Sequence, residues 1–174
     1  MFLDVMVLSV LLTLLLKGNP MKVLTYRYRC IFLFPIPLFL QLLGMWWIRI
    51  SPAFNIGSYI LLLVVLSLNF HIPGILYVFS GVLMNTIAVS LNGGKMPVLR
   101  WMASQIGIHS VDAKHVFVDT VNWRILLGDI ATVVFPWGRS FVISVGDVLI
   151  TLGIAIFFLS VLKAGEMQHE RAIQ

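Results

Sequence analysis

Two glycine–aspartate pairs carry the clearest hint of chemistry in this chain. Gly128-Asp129-Ile130 and Gly146-Asp147-Val148 repeat one pattern eighteen residues apart, each acid in apolar company. Two carboxyls brought close together cannot both ionise easily. One keeps its proton, giving an acid and a base that can share a water. That arrangement hydrolyses an amide without a metal or a covalent intermediate, so Asp129 and Asp147 are candidate catalytic residues. A structural use of Asp147 competes with this one. Ser144-Val145-Gly146-Asp147 also reads as a capping box, with a hydroxyl at the N-cap and an acid three positions later. Both readings stand at this stage.

Asn85 and Ser144 are the candidate substrate-binding residues. Gly74, Gly81, Asn85, Ala88 and Asn92 follow one another at helical spacing and fall within roughly 60° of arc. Small residues on such a stripe admit a neighbouring helix, and an amide among them needs a partner. Asn85 therefore either glues two helices or sits beside a reacting group. A further set, His109, Asp112, His115 and Asp119, shares about 120° of a helix if its segment is helical. Those residue types suit zinc, but mixed acids and histidines equally make a solvated face. No metal or cofactor is assigned. Cys30 is the single cysteine, which excludes an internal disulfide and a cysteine-built metal site.

The elements that must hold these groups are strongly apolar. Hydrophobic residues make up 60% of the 174 and charged ones only 11%, well under the roughly 25% of an ordinary soluble domain. Mean hydropathy is +1.00. The apolar blocks approach the ~20 residues needed to cross a bilayer. The expected fold is thus all-α, a polytopic transmembrane bundle forming a single domain over 1–174. Its spans are expected near 2–16, 30–50, 52–68, 73–91 and 141–162. Residues 92–140 form an external loop, in which 125–137 is expected to be interfacial or re-entrant.

Lys17, Lys22, Arg27 and Arg29 crowd one short stretch without an acid, which predicts a cytoplasmic loop. The N-terminus is then outside and the C-terminus inside a cytoplasmic membrane. Trp46, Trp47 and Arg49 read as an interfacial anchor, and the first block lacks the features of a cleaved signal peptide. The net charge of +5 is too small and dispersed for nucleic acid. The partners expected are membrane lipids and a membrane-anchored peptide or lipoprotein, with the oligomeric state open.

Two resemblances rest on these motifs. Asn92-Gly93-Gly94-Lys95-Met96-Pro97-Val98, then Leu127-Gly128-Asp129, then Ser144-Val145-Gly146-Asp147 resemble an uncharacterised bacterial multi-pass membrane family, classed only as a domain of unknown function. The C-terminal half also looks like the lipoprotein signal peptidases, four-helix membrane aspartic peptidases. That likeness implies that Asn85 stands for the family's asparagine, Asp129 for its first catalytic acid, and Phe141 to Asp147 for its final motif. Ser144 replaces an asparagine of that motif, and about 25 extra residues precede Asp129. The resulting expectation is an aspartic-peptidase-like hydrolase using Asp129 and Asp147. The alternative is a non-enzymatic component: an accessory subunit, a small-solute carrier or a lipid-interacting scaffold.

Overall fold

The computed structural model describes residues 2–16, 19–46, 51–112 and 114–173. Among the described residues six α-helices occur: α1 (Phe2–Leu15), α2 (Pro35–Trp46), α3 (Ser51–Ser67), α4 (Ile75–Leu91), α5 (Arg100–Gln105) and α6 (Val145–Ile173). Four short strands accompany them: β1 (Met96–Leu99), β2 (His115–Val118), β3 (Ala131–Val134) and β4 (Ser140–Ile143). The long helices pack side by side in the order α2, α3, α4, α6, α1. The strands gather where α4 ends and α6 begins.

Apolar side chains explain the row. Leu66, Val82 and Ile150 join α3, α4 and α6 in one buried cluster. Ala88, Val89 and Met96 form a second, which seats β1 against α4. Between α4 and α6 the backbones meet at glycines. A Cβ added at Gly81 falls 2.3 Å from the Gly146 carbonyl oxygen, and one at Gly74 falls 2.1 Å from that of Gly153. The two helices run antiparallel, Gly74 at the N-cap of α4 and Gly81 within it meeting Gly153 and Gly146 of α6. No larger residue fits either crossing.

The strands form two pairs. β1 and β2 are parallel, Met96 opposite His115 and Leu99 opposite Val118, with α5 in the crossover. β3 and β4 make an antiparallel hairpin, Ala131 opposite Ile143 and Val134 opposite Ser140. Asp129 links them through its backbone. Its N–H donates to Pro97 O at 2.9 Å and its carbonyl accepts from Leu99 N at 3.1 Å, while Ile130 N donates to Ile143 O at 3.1 Å. The hairpin is latched onto α1 by Asp4, whose Oδ1 accepts from Arg139 Nη1 at 2.8 Å and Trp137 Nε1 at 3.1 Å.

These observations correct the expected architecture. The chain is not an all-α bundle, because the supposed external loop 92–140 supplies β1, α5, β2 and β3. The supposed re-entrant segment 125–137 is a turn running into β3. Among the described residues no helix is long and apolar enough to cross a membrane. Helices α1 to α4 have 14, 12, 17 and 17 residues. At 1.5 Å per residue they reach roughly 18–26 Å, short of the ~30 Å hydrocarbon core. Five spans, the multi-pass inner-membrane placement, and an outside N-terminus with an inside C-terminus are therefore not supported. The physical reason is that mean hydropathy ignores breaks. The block 30–50 is interrupted by a 3-10 turn at Ile31–Leu33 before α2 starts at Pro35, and the block 141–162 begins as strand. Lys17, Gly18, Trp47 and Arg49 lie outside the described residues.

Candidate functional site

Asp129 and Asp147 line one cavity of about 190 Å³. The hairpin is what brings them together. Its register pairs 131 with 143, and continued by two residues it sets Asp129 opposite Val145, in the first turn of α6. The eighteen-residue spacing of the two glycine–aspartate pairs is thus the length of a hairpin plus a helix start.

Asp147 is held on every side. Ser144 is the N-cap of α6: its Oγ accepts from Asp147 N at 3.0 Å, and its own N–H donates to Asp147 Oδ2 at 3.0 Å. This is a reciprocal capping box. Asn85, from α4, closes the ring. Its Nδ2 donates to Asp147 Oδ1 at 3.0 Å and its Oδ1 accepts from Ser144 Oγ at 2.9 Å. Each carboxyl oxygen of Asp147 thus accepts one hydrogen bond, Oδ1 from Asn85 and Oδ2 from the Ser144 backbone.

Asp129 is the opposite case. It is 6% exposed, and among the described residues nothing hydrogen-bonds or ion-pairs with its carboxyl. Burial, and then the charge of Asp147, push its pKa up from 3.8 to about 8. Near neutral pH Asp129 therefore holds its proton, in the same cavity as Asp147.

The remaining wall comes from α2, α3, Val89 of α4, Met96 of β1, Lys114 and His115 at the start of β2, and Phe141 and Val142 of β4. Tyr59 lines the cavity, and burial together with the charges of Asp147 and Asp129 raises its hydroxyl to about 12. It keeps its proton and is available as a donor. A polar chain runs beside it. Lys114 Nζ donates to Gln41 Oε1 at 3.3 Å, Gln41 Nε2 to Ser58 Oγ at 3.2 Å, and Asn55 Nδ2 to Gly94 O at 3.0 Å.

Of the four sequence-derived candidates, Asn85, Asp129 and Asp147 reach the cavity wall. Ser144 lies behind it, 1% exposed, with its hydroxyl engaged by Asn85 and Asp147. The histidine–aspartate set does not share a helix. His115 opens β2 and its Nδ1 lies 2.6 Å from Asp112 Oδ1, whereas Asp119 pairs with Arg100. Among the described residues no cluster of three histidine, cysteine or acidic side chains suits a metal. Among the described residues neither Arg124 nor Arg139 pairs with Asp129 or Asp147: Arg139 holds Asp4, and Arg124 stacks on Trp123.

Tyr59, Gln41, Asn55 and Lys114 were not singled out from sequence. A signal existed for Asn55 and Gln41, since each is an amide inside an apolar helix, the criterion that found Asn85.

No solved structure matches the chain. An uncharacterized protein of Thermotoga maritima is 39% identical over 159 residues, which is 91% of this chain and 90% of that protein. The likeness to lipoprotein signal peptidases has no counterpart in these comparisons. A family model covering residues 22–159 includes Asn85, Asp129, Ser144 and Asp147, and by that match the chain belongs to a family of unknown function, DUF5317.

Proposed function

We propose that the chain is a hydrolase of peptide bonds that uses Asp129 and Asp147 as an acid–base pair. One observation supports the reading: a buried carboxyl with no hydrogen-bond partner among the described residues shares a small cavity with a second, firmly positioned carboxyl. Unequal carboxyl environments are how paired acids acquire opposite roles.

The chemistry uses the proton that burial keeps on Asp129. Asp147, as carboxylate, removes a proton from a water in the cavity while the water oxygen bonds to the amide carbon. Asp129, as acid, gives its proton to the carbonyl oxygen, producing a neutral diol. Asp147 then returns its proton to the amide nitrogen, Asp129 takes one diol proton, and the C–N bond breaks to yield acid and amine. The cavity holds roughly six waters at ~30 Å³ each, enough for one amide and its water. Tyr59 and Asn85 are the neighbouring groups able to orient the substrate.

A second reading, a non-enzymatic component, is favoured by the capping box, since both oxygens of Asp147 already accept hydrogen bonds. Asp147→Asn separates the two. Asparagine retains an acceptor at the cap, so the helix persists in either case. Cleavage of a fluorogenic peptide library by the wild type, lost in both Asp147→Asn and Asp129→Asn, is the expected result. A library left uncut, or cut equally by both variants, rejects the hydrolase.

A further inference from the structure

A second cavity, of about 490 Å³, adjoins the first, and Asp129, His115, Phe141 and Val142 line both. Its other walls are Val98, from β1, and the segment 108–112. From this geometry we infer that it receives a bulky apolar side chain of the substrate residue flanking the cleaved bond. The inference rests on the hydrolase reading for the bond that is cut, and adds the class of residue beside it.

Three features support the assignment. The strand pairings set Val98 beside both Phe117 and Asp129, and Met96 beside His115. Paired and alternate residues share a face. One continuous face therefore carries the floor of both cavities, with Met96 under the small polar one and Val98 under the larger. Asp129 lines both cavities, so a substrate seated against it borders both.

The second feature is composition. Val98, Ile108, Val111, Phe141 and Val142 surround the interior of the larger cavity. Its polar groups include Asp112 and His115, which are tied to each other at 2.6 Å, and Asp112 also accepts from Lys114 N at 2.8 Å. Apart from this pair, Ser110 and Asp129, the lining is apolar. The third is size. A cavity of 490 Å³ falls within the range that encloses small organic ligands, and it far exceeds a water site.

The test uses full-length protein and acetyl-peptide amides in which one residue is Leu or Ala and the following amide is replaced by a hydroxyethylene link. Isothermal titration of the wild type should show the Leu form binding at least about tenfold more tightly, the scale on which apolar pockets discriminate. Val111→Trp, at the rim of the cavity, should bring that ratio towards one. Ile108→Ala, which enlarges the space, should move preference from Leu to Phe. Equal binding of Leu and Ala forms, no binding of either, or a ratio untouched by both variants overturns the inference. Hydrolysis of the parent amides is followed in parallel. Cleavage without Leu preference leaves the acid pair standing and removes the cavity's role. Selective binding without cleavage retains the cavity and rejects the pair.

Discussion

Asn85 Nδ2 lies 3.0 Å from Asp147 Oδ1, and that single contact joins the middle of α4 to the first turn of α6. It is half of a closed ring, because Asn85 Oδ1 also accepts from Ser144 Oγ. Asn85→Ala therefore strands two groups at once in a site where Asn85 and Ser144 are almost wholly buried. We expect a loss of about 1–3 kcal/mol in urea unfolding. Ser144→Ala should cost about 0.5–2 kcal/mol through the lost cap. The double variant should fall short of the sum, since the residues share one network. Strict additivity would mean that the ring contributes nothing.

Gly146 tests the close approach of α4 and α6. A Cβ there would lie 2.1 Å from Asn85 Oδ1 and 2.6 Å from Gly81 O, and the backbone carbonyl cannot swing aside. Gly146→Ala should destabilise by about 1–3 kcal/mol or more, as overpacking does. Gly57, in α3, is the internal comparison. A Cβ there meets nothing within 4 Å, so Gly57→Ala should raise stability by roughly 0.5–1 kcal/mol through helix propensity. Thermal midpoints moving the same way in both variants would contradict the packing argument.

The hairpin's anchorage gives a third contrast. Asp4 is 4% exposed where it holds Arg139, whereas the side chains of Arg100 and Asp119 are 55% and 69% exposed. Exposed pairs contribute under about 1 kcal/mol. Arg100→Ala should leave unfolding nearly unchanged. Asp4→Ala should destabilise clearly and should speed amide hydrogen exchange at 131–143, the strands that Trp137 and Arg139 tether. Unaltered exchange there would show that the latch does not hold the hairpin.

What could be read from sequence followed the type of signal. α3 and α4 stand within two residues of the apolar blocks 52–68 and 73–91, because turn chemistry at Pro73-Gly74 and Asn92-Gly93-Gly94 bounds them sharply. The strands were illegible. β1 and β2 have four residues each, too few for alternation to register. Their pairing is long-range, and Pro97 argues locally against a strand. Asn85, Asp129, Ser144 and Asp147 were visible as polar groups in apolar surroundings, and the hairpin that unites the two acids was not. Tyr59 carries no such anomaly. An aromatic in an apolar helix looks like core until the acids beside it are seen.

Asp129 ties the proposed chemistry to a measurement on folding alone. Its pKa is about 8 in the folded chain against 3.8 for an unburied aspartate. Between those values the native state holds a proton that the unfolded state has released. Unfolding free energy must then fall as pH rises, by up to about 1.4 kcal/mol per unit. The contribution is fully present below about pH 4 and absent above about pH 8. Asp129→Asn is neutral at every pH, so this slope should vanish in urea titrations across that window, while Asp119→Asn, at the surface, should keep it. The same proton sets the activity profile. If Asp129 is the acid that protonates the substrate carbonyl, kcat/KM should decline above about pH 8. Equal slopes in wild type and Asp129→Asn would mean that the carboxyl is already ionised at neutral pH, and no general acid would be left in the cavity.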